Sequence, residues 1–550
     1  MFLFRLILPL LALTLATCAT HTPRGPVIVM LAAINDFHGN LELPAGGLPK
    51  INSATRELTR TPSGSVARMA TVLERLRATH PHFAFVSAGD LVGASPLASG
   101  YFDDEPAIEA MNSLGLDLNG VGNHEFDRGV AELQRLQSGG CPRDGCKSGQ
   151  PFGGAKFQFL AANVIVRETG KPLFAPYAIR EFSGIKVAFI GVTLKSTPAI
   201  LPPKAVAGLD FHDEADTVNK LVPELKRAGV EAMVVLIHQG GFQRGGPNDC
   251  SEFRGPIIDV VQRFDPAVDV VISGHTHQAY VCRIGGRLLT SSGSYGRALT
   301  AVEMTLDRAS RDVISAHAVN HVVRTDIPEN PLLAALALRQ AQLLKRVDRT
   351  VGRVTQTITN SLNADGESPL GQLIADAQLE ATREAGAEVA FMNPGGIRVP
   401  VDYTDGGAVT YSALYAVQPF GNHLVTLTLR GRQVLQLLEQ QWSANGLRRL
   451  QISKGSGFAW NPGQPEGARI VRDSVVINGQ PLQMERDYRI SVNNYLADGG
   501  DNLPILREGR NRVTGMQDLD ALVAYFEKWS PMTPGRERRV RQITPQEHGR

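Results

Sequence analysis

The feature that most constrains how this chain folds is a series of apolar segments. Each has the length of a β-strand and is followed by a polar residue. The runs "FAFVSAGD", "KVAFIGVT", "AMVVLIHQG" and "VDVVISGH" are rich in Val, Ile, Ala and Phe. Strands that are buried on both faces have this composition, and they occur in parallel sheets covered by helices. Amphipathic stretches at 65–79 and 213–228 supply helices of that kind. From Val27 to about residue 325, the sequence therefore predicts an α/β sandwich.

Side chains that can bind metals follow the ends of the predicted strands. Five successive strand ends each carry one group of them. The groups are Asp36 with His38, Asp90 alone, Asn123 with His124, His238 alone, and His275 with His277. Ligand sites of α/β sheets lie outside the carboxyl ends of the strands. Carboxylate and imidazole groups are the ligands that suit hard divalent metals acting on phosphate, and a carboxylate such as Asp90 can bridge two ions. Five such ends in succession predict a reaction site and not a set of solvated loops.

Length and composition bound the class of protein. A chain of 550 residues exceeds what one hydrophobic core normally supports, so two or more domains are expected. With 43% hydrophobic and 20% charged residues, it has the composition of a globular protein. The 56 Lys and Arg nearly balance the 54 Asp and Glu, which predicts no general attraction to nucleic acid polymers. Anionic substrates must therefore be bound by local groups.

The N-terminus has the pattern of an export signal. In "MFLFRLILPLLALTLATCAT" one basic residue, Arg5, precedes an apolar run that is too short for a membrane span. The sequence "LATC" resembles a lipobox with Cys18 as the lipidated residue, and an ordinary cleaved signal peptide is the alternative. Residues 1–18 are therefore predicted to be a signal peptide. The mature protein is expected to be periplasmic or an outer-membrane lipoprotein, with Cys18 as its only membrane attachment.

The cysteines other than Cys18 predict disulfides. An even number of cysteines in an exported protein favours pairing. Cys141 and Cys146 in "CPRDGC" can close a small loop, which leaves Cys250 and Cys282 as partners. Zinc binding is the alternative, and it is disfavoured because no second pair stands at ligand spacing.

A boundary between two domains is predicted near residue 330. Residues 331–348 form a glycine-free helical pattern after the proline-bearing stretch "RTDIPENP". We predict a first domain over 26–328, a linking helix over 329–350 and a second domain over 351–535. The motifs of the second domain are "NPGGIR", "QPFGN" and "NNYLADGGDN". The basic C-terminal tail "PGRERRVRQITPQEHGR" is predicted to be a solvated end.

Several of these motifs together resemble a known family. The blocks "NDFHGNLE", "AGDLVGASP", "GNHEFDRG", "IHQG" and "SGHTHQ" resemble, in order and spacing, the calcineurin-like metallophosphoesterase signature. With the motifs of the second domain, the chain resembles the bacterial 5'-nucleotidase and UDP-sugar hydrolase family. The resemblance implies an N-terminal four-layer αββα sandwich that holds metals and a C-terminal α/β domain that holds substrate. It also implies rotation between the two over the linking helix.

The resemblance further implies a site with two divalent metal ions, Zn, Mn or similar. One ion would be held by Asp36, His38, Asp90 and His277, and the other by Asp90, Asn123, His238 and His275. His124 would lie beside the phosphoryl group and stabilise charge in the transition state, while Asp127 orients and charges its imidazole. A helix N-cap is the alternative role for Asp127.

In the second domain the resemblance implies the substrate contacts. Arg398 would contact phosphate from a loop shaped by Asn393 and Gly396. Phe420 and Tyr495 would sandwich the base, and Asp501 would bind the ribose hydroxyls. The alternative is that these aromatic residues belong to the core. Where relatives often have further phosphate-binding arginines, this chain has no basic residue in 363–370. The alternatives are weaker affinity for phosphate, a different leaving group, or compensation by Lys454 or Arg448.

The expected function is that of an exported 5'-nucleotidase that releases phosphate from nucleoside 5'-monophosphates. UDP-sugars and nucleoside di- and triphosphates are further candidate substrates. One alternative is a 2',3'-cyclic nucleotide 2'-phosphodiesterase with 3'-nucleotidase activity. The other is a non-catalytic surface binding protein, which is disfavoured because no ligand position is missing. The sequence predicts no oligomeric state.

Overall fold

The computed structural model describes residues 25–44, 47–51, 58–142, 145–147, 149–345, 348–443, 446–447, 449–535 and 537–543. The predicted signal peptide with Cys18 lies outside the described residues, and so does Arg448. Within the described part of the chain, no helix combines the length and the apolar character needed to cross a lipid bilayer.

The first domain is built on two six-stranded sheets that face each other. In spatial order, the first sheet contains Val313–Val322, Ala298–Leu306, Val27–Ile34, Phe83–Ser87, Leu118–Gly120 and Gln158–Leu160. The second contains Ala279–Ile284, Arg287–Ser292, Val270–Ser273, Ala232–Ile237, Ile185–Val192 and Tyr177–Phe182. The strands that precede the metal-capable residues pair in parallel within each sheet. Their carboxyl ends therefore lie at the same edge of the sandwich.

Helices cover the outer face of each sheet. Val66–Thr79, Glu105–Leu114 and Val130–Ser138 pack on the first sheet, and Glu214–Arg227 and Ile257–Arg263 pack on the second. The inner faces bury side chains such as Val86 and Leu236 against each other. Because such strands are buried on both faces, their sequences show no polar alternation. The first domain is the four-layer αββα sandwich that was predicted.

A helix at Pro331–Leu344 leads to the second domain, within the range predicted for the linking helix. It begins at the side chain of Asn330, which accepts hydrogen bonds from the backbone N–H groups of Leu332 and Leu333. Leu344 at its end is buried with Leu97 of the first domain, and Tyr415 of the second domain packs against both. The two domains therefore share a small apolar cluster where the chain crosses between them.

The second domain contains two mixed sheets with helices around them. The larger sheet contains Gln451–Ile452, Val389–Met392, Asp487–Asn493, His423–Arg430 and Arg510–Gln517, and the smaller one contains Gln480–Pro481, Ile470–Ile477, Gly457–Trp460 and Val540–Gln542. The helices are Pro369–Ala381, Tyr411–Val417, Gly431–Glu439, Asn494–Ala497 and Asp518–Trp529. This α/β architecture also matches the prediction.

The remaining elements are short. The strands are Leu48–Ile51 with Leu58–Thr61, Leu209–Phe211 with Val164–Val166 and Lys171–Pro172, Thr350–Arg353 with Ala408–Thr410, and Trp442–Ser443 with Gly446–Leu447. Two further helices are Leu97–Gly100 and Thr197–Ile200, and turns of 3-10 helix include His124–Phe126, Pro394–Gly396 and Gly500–Asn502. Both expected disulfides, Cys141–Cys146 and Cys250–Cys282, are present.

The prediction of a solvated basic tail is wrong at Arg539 and Val540, although Arg538 and Arg541 on either side are exposed. Val540 is buried, and Val540–Gln542 pairs with Gly457–Trp460 as a parallel strand. The side chain of Arg539 is 8% exposed, and its guanidinium donates to the Asp376 carboxylate at 2.7 and 2.9 Å. The positive charge that indicated solvent is neutralised by a carboxylate far away in the sequence. The second domain thus continues past residue 535.

Candidate active site

The metal-capable side chains meet at the shared edge of the two sheets. In the part of the chain that the structure describes, two groups could hold a metal ion, Asp36 with His38 and His277, and Asp36 with Asp90 and His238. In each group, the ligand atoms all lie within 4.8 Å of one another. The resemblance implied Asp90 as the bridging ligand, whereas Asp36 is the residue common to these two groups. Asp90 nevertheless reaches both, since its Oδ2 is 3.0 Å from His238 Nε2 and 3.7 Å from His38 Nε2.

Two histidines are anchored through Nδ1, which turns Nε2 of each toward the cluster. His38 Nδ1 lies 2.8 Å from the carbonyl oxygen of Gly93, and His238 Nδ1 lies 2.8 Å from that of Ala88. Since a carbonyl only accepts, both Nδ1 atoms must be donors, and in the neutral imidazole Nε2 then carries the lone pair. His238 Nε2 is buried and makes no hydrogen bond of good geometry, although Asp90 is close. Such an arrangement orients imidazoles toward a shared metal ion.

The remaining two predicted metal ligands lie next to each other. His275 Nδ1 is 3.0 Å from Asn123 Oδ1, and the His275 ring lies 5.3 Å from that of His238. The backbone N–H of His275 donates to Asp36. The structure therefore brings all seven predicted metal ligands into one cluster.

Most of these ligand candidates have an uncommon backbone conformation. The φ angles are 50° at Asp36, 47° at His38, 53° at Asp90, 71° at His275 and 55° at His277. Left-handed conformations cost residues other than glycine on the order of 1 kcal/mol, and they concentrate at functional sites. Backbone bonds hold them, such as the donation from the N–H of Asp36 to the Gly89 carbonyl at 2.9 Å. Thirteen other described residues besides glycine also have positive φ angles, but five of the seven ligand candidates share this conformation, which argues that their placement is functional.

Glu125 joins the two loops that carry these residues. Its buried carboxylate accepts from the backbone N–H groups of Asp90 and Leu91 at 2.9 Å and from that of Gly122 at 2.8 Å. Burial, together with the nearby Asp90 carboxylate, raises the pKa of Glu125 to about 7, although the hydrogen bonds lower it. Glu125 stands within "GNHEFD", but no role was predicted for it, because a motif does not show the direction in which a side chain points.

His124 and Asp127 form the predicted pair. His124 Nδ1 lies 2.9 Å from Asp127 Oδ2, and the backbone N–H of His124 donates to Asp90 Oδ1 at 2.8 Å. Burial lowers the pKa of His124, but the negative charges of Asp127 and Asp90 outweigh it and raise the pKa above its usual value. Asp127 is not a helix N-cap, because the next helix begins after Gly129, and it instead ends the 3-10 turn His124–Phe126. A charged imidazole is therefore favoured beside the metal cluster.

One cavity of about 360 Å³ is lined by residues of both domains. From the first domain, its walls include Asp90, Asn123, His124, Asp127, His275 and His277. From the second domain, they include all six predicted substrate residues, which are Asn393, Gly396, Arg398, Phe420, Tyr495 and Asp501. Asn422 and Asn493 also line it and were not predicted. The second domain thus faces the metal cluster across this cavity.

Arg398 spans the distance between the two domains. Its Nη2 lies 3.4 Å from His38 Nε2, and its guanidinium carbon lies 5.8 Å from the centre of the Phe420 ring. The Phe420 ring in turn lies 5.8 Å from the His124 ring, with an angle of 26° between the ring planes. Among the described residues that line the cavity, Arg398 is the only lysine or arginine.

The segment that lacks the family's extra arginines faces away from the cavity. Asp365 accepts from Arg538, and Glu367 accepts from the backbone N–H of Arg539, so the segment pairs with the C-terminal tail. Lys454 does not line the cavity, and its backbone N–H donates to Asp376. Compensation by Lys454 is therefore excluded in this arrangement of the domains.

Hydrogen bonds link the polar side chains on the second-domain side of the cavity. Asn493 Nδ2 donates to Asn393 Oδ1 at 3.0 Å, and Asn393 Nδ2 donates to Asp501 Oδ2 at 3.1 Å. The hydroxyl of Tyr495 donates to Asp501 Oδ1 at 2.7 Å. The Tyr495 ring also packs against the core of the second domain, so it is fixed in position.

Family models match both domains. A calcineurin-like phosphoesterase model matches residues 30–279, and a model of the 5'-nucleotidase C-terminal domain matches residues 350–508. Fold and ligand groups together define a metal-dependent phosphoric ester hydrolase. The chain belongs to the 5'-nucleotidase family, as its motifs predicted.

Known proteins resemble the chain over nearly its whole length. Endonuclease YhcR of Bacillus subtilis is 31% identical over 531 residues, covering 94% of this chain and 41% of that protein. This chain therefore spans less than half the length of that relative. A 5'-nucleotidase of Vibrio cholerae is 26% identical, with coverage of 86% and 88%. The crystal structure of a 5'-nucleotidase precursor from Thermus thermophilus has a TM-score of 0.77 at 28% identity, with coverage of 94% and 99%.

Proposed function

We propose that this protein hydrolyses nucleoside 5'-monophosphates to nucleosides and phosphate with two divalent metal ions. The observation that carries the proposal is the single cavity lined by both the metal-capable cluster and the second-domain aromatic and arginine residues. Its volume of about 360 Å³ is near the lower end for ligand pockets. That size favours a mononucleotide, with nucleotide sugars and nucleoside di- and triphosphates as secondary substrates.

The residues present fit two divalent ions. The proposed ligands are Asp36, His38, Asp90 and His277 for one ion, and Asp90, Asn123, His238 and His275 for the other. The donor set is oxygen and nitrogen without thiolate, and the carbonyl anchors of His38 and His238 support it. Divalent ions bound there would supply Lewis-acid polarisation of the phosphoryl oxygens and activation of water at neutral pH.

The protein's own side chains bind and orient the substrate. In the proposal, Asp127 holds the Nδ1–H of His124, so that Nε2 donates a hydrogen bond to the phosphoryl group or to the leaving oxygen. Arg398 binds two phosphoryl oxygens through its guanidinium. Among the described residues that line the cavity it is the only lysine or arginine, so it would be the one cationic side chain that the second domain brings to the phosphate.

The nucleoside would be held by the rest of the second domain. We propose that Phe420 and Tyr495 hold the base, since every base presents a π-face to an aromatic ring. Asp501 would bind the ribose hydroxyls from the hydrogen-bonded chain that includes Asn393, in the loop with Gly396.

We further propose that the protein acts outside the cytoplasm, in the periplasm or anchored to the outer membrane through Cys18. The two disulfides support an oxidising compartment. The apolar N-terminal run supports export. Radiolabelled palmitate in cells would report on the anchor, and its absence from the protein would leave a cleaved signal peptide.

A substrate panel tests the proposed reaction. Protein reconstituted with Mn²⁺ or Zn²⁺ is assayed with 5'-AMP, 3'-AMP, 2',3'-cyclic AMP and UDP-glucose. We expect kcat/KM for 5'-AMP to exceed the others by about tenfold or more. A preference for 2',3'-cyclic AMP and 3'-AMP would instead assign the alternative phosphodiesterase activity. If the metal-loaded protein turned over none of these substrates, the alternative of a non-catalytic binding protein would be favoured.

A further inference from the structure

Four apolar residues of the first domain line the active-site cavity and have no part in metal binding. They are Ile200, Leu201, Pro202 and Phe242, which we call the metal-domain wall. They stand on the loops that follow Ile185–Val192 and Ala232–Ile237, which are neighbouring parallel strands. His238 directly follows the strand Ala232–Ile237, so the wall lies beside the metal cluster. Sequence motifs gave no indication of these residues.

Phe242 is exposed on a well-anchored backbone. Its side chain is 43% exposed, yet its N–H and C=O both pair with Arg254, at 2.7 and 2.9 Å. The preceding carbonyl of Gly241 accepts from Thr276 Oγ1 at 2.8 Å. The Cys250–Cys282 disulfide ties the same loop to the strand Ala279–Ile284. A large apolar side chain held open to a cavity in this way is typical of a surface that contacts a ligand.

The other part of the wall approaches the second domain. The short helix Thr197–Ile200 contacts the turn Gly500–Asn502, which carries Asp501. Thr197 is fully buried and its hydroxyl donates to the Leu194 carbonyl at 2.6 Å, which fixes the start of this helix. The wall therefore borders the space where the proposed ribose contacts of Asp501 would lie.

We infer that the metal-domain wall determines specificity for the leaving group. Phe242 and the residues at 200–202 contact the nucleoside from the metal domain, while Phe420 and Tyr495 contact it from the second domain. A leaving group with a flat apolar face, such as a nucleoside, gains from both surfaces, whereas a bare sugar gains from neither. This inference rests on the proposed 5'-nucleotidase activity and assigns to the metal domain a share of substrate selection.

The test compares a substrate that has a base with one that lacks it. We expect Phe242→Ala to lower kcat/KM for 5'-AMP about fivefold or more, mainly through KM, because one stacking contact is lost. For ribose 5-phosphate, kcat/KM should change by less than about twofold. The inhibition constant of adenosine against ribose 5-phosphate hydrolysis should rise by the same factor as KM for 5'-AMP. Ile200→Ala should act in the same direction.

Two variants serve as references. Tyr101→Ala removes an aromatic side chain of the same domain that is equally exposed, at 43%, but lies outside the cavity. It should leave kcat/KM unchanged for both substrates. Phe420→Ala reports the loss of a base contact from the second domain. Metal content and thermal melting of each variant are measured in parallel, so that a folding defect is recognised.

The outcomes separate this inference from the proposed function. Suppose that wild-type protein hydrolyses 5'-AMP. If Phe242→Ala then leaves kcat/KM for 5'-AMP unchanged, or lowers kcat/KM for both substrates by the same factor, the metal-domain wall does not select the leaving group. If wild-type protein hydrolyses ribose 5-phosphate but not 5'-AMP, the proposed function itself fails and the inference fails with it.

Discussion

The individual metal-capable residues derive their geometry from the backbone around them. Left-handed φ angles at residues such as Asp36 and Asp90 turn the chain sharply at the strand ends. Carbonyl groups then fix the tautomers of His38 and His238, and Glu125 ties the Asp90 loop to the turn that carries His124. These contacts orient the side chains toward one another, which is how proteins hold a metal site in a defined geometry.

Ligand and catalytic roles are separated by two substitutions. Asp90→Asn should lose metal and lower kcat/KM for 5'-AMP by about a thousandfold or more, since the Asp90 carboxylate lies 3.0 Å from His238 and 3.7 Å from His38 and the amide removes its negative charge. His124→Ala should keep its metal while kcat falls by about 10²- to 10⁴-fold, the usual range for a lost proton donor. Elemental analysis of the purified variants measures the metal. A metal-free His124→Ala protein would show that His124 is a ligand.

At the scale of elements, ion pairs and caps decide how the outer helices attach. Helix Glu214–Arg227 begins at Asp213, whose side chain accepts from the backbone N–H of Asp216. The same carboxylate accepts from Arg263 at 2.9 and 3.1 Å, which joins this helix to Ile257–Arg263. One residue therefore caps one helix and binds the next.

This double role predicts a pH-dependent contribution to stability. Burial raises the pKa of Asp213, but the hydrogen bonds from Arg263 and Asp216 outweigh it and hold the pKa at about 2. Since this is below the unfolded value of 3.8, the stabilisation is present above that pH and is lost as pH falls toward 2. Asp213→Ala should cost about 1 kcal/mol at pH 7, and less at pH 2. Asp213→Asn, which keeps an acceptor for the cap, should cost less at pH 7.

Thermal melting at pH 7 and at low pH measures the difference in stability between wild type and each variant. Metal loss in acid affects all three proteins alike, so the difference in stability reports the contribution of Asp213. If the difference for Asp213→Ala were as large at pH 2 as at pH 7, the charge of the carboxylate would contribute nothing to stability.

The sequence predicts elements better than it predicts their surroundings. Runs such as "AMVVLIHQG" indicated buried strands correctly, and the polar residue after each run indicated the metal cluster. The tail failed because the partner of Arg539 is Asp376, and charge alone does not reveal a pairing between distant segments. Phe242 was missed because one aromatic residue in a loop has no periodicity or motif that would distinguish it from a surface residue.

At the scale of the whole molecule, the site belongs to neither domain alone. The first domain supplies the metal-capable cluster, His124 and the metal-domain wall, and the second supplies Arg398 and the aromatic residues. The contact of Arg398 with His38 brings these two sets together across the cavity. The apolar cluster around Leu344 joins the domains where the chain passes between them. Substrate and metals are therefore expected to meet only when the two domains face each other as they do here.

The most direct test of this shared site is kcat/KM for 5'-AMP in Arg398→Ala, measured on protein whose metal content equals that of wild type. Arg398 lies in the second domain and is no metal ligand, so we predict full metal occupancy with kcat/KM lowered by about 10²- to 10³-fold, as for other lost transition-state donors. Arg398→Lys should recover part of the loss, because it keeps the charge without the bidentate geometry. Unchanged kcat/KM in metal-loaded Arg398→Ala would contradict the account, since phosphate would then be bound without the second domain.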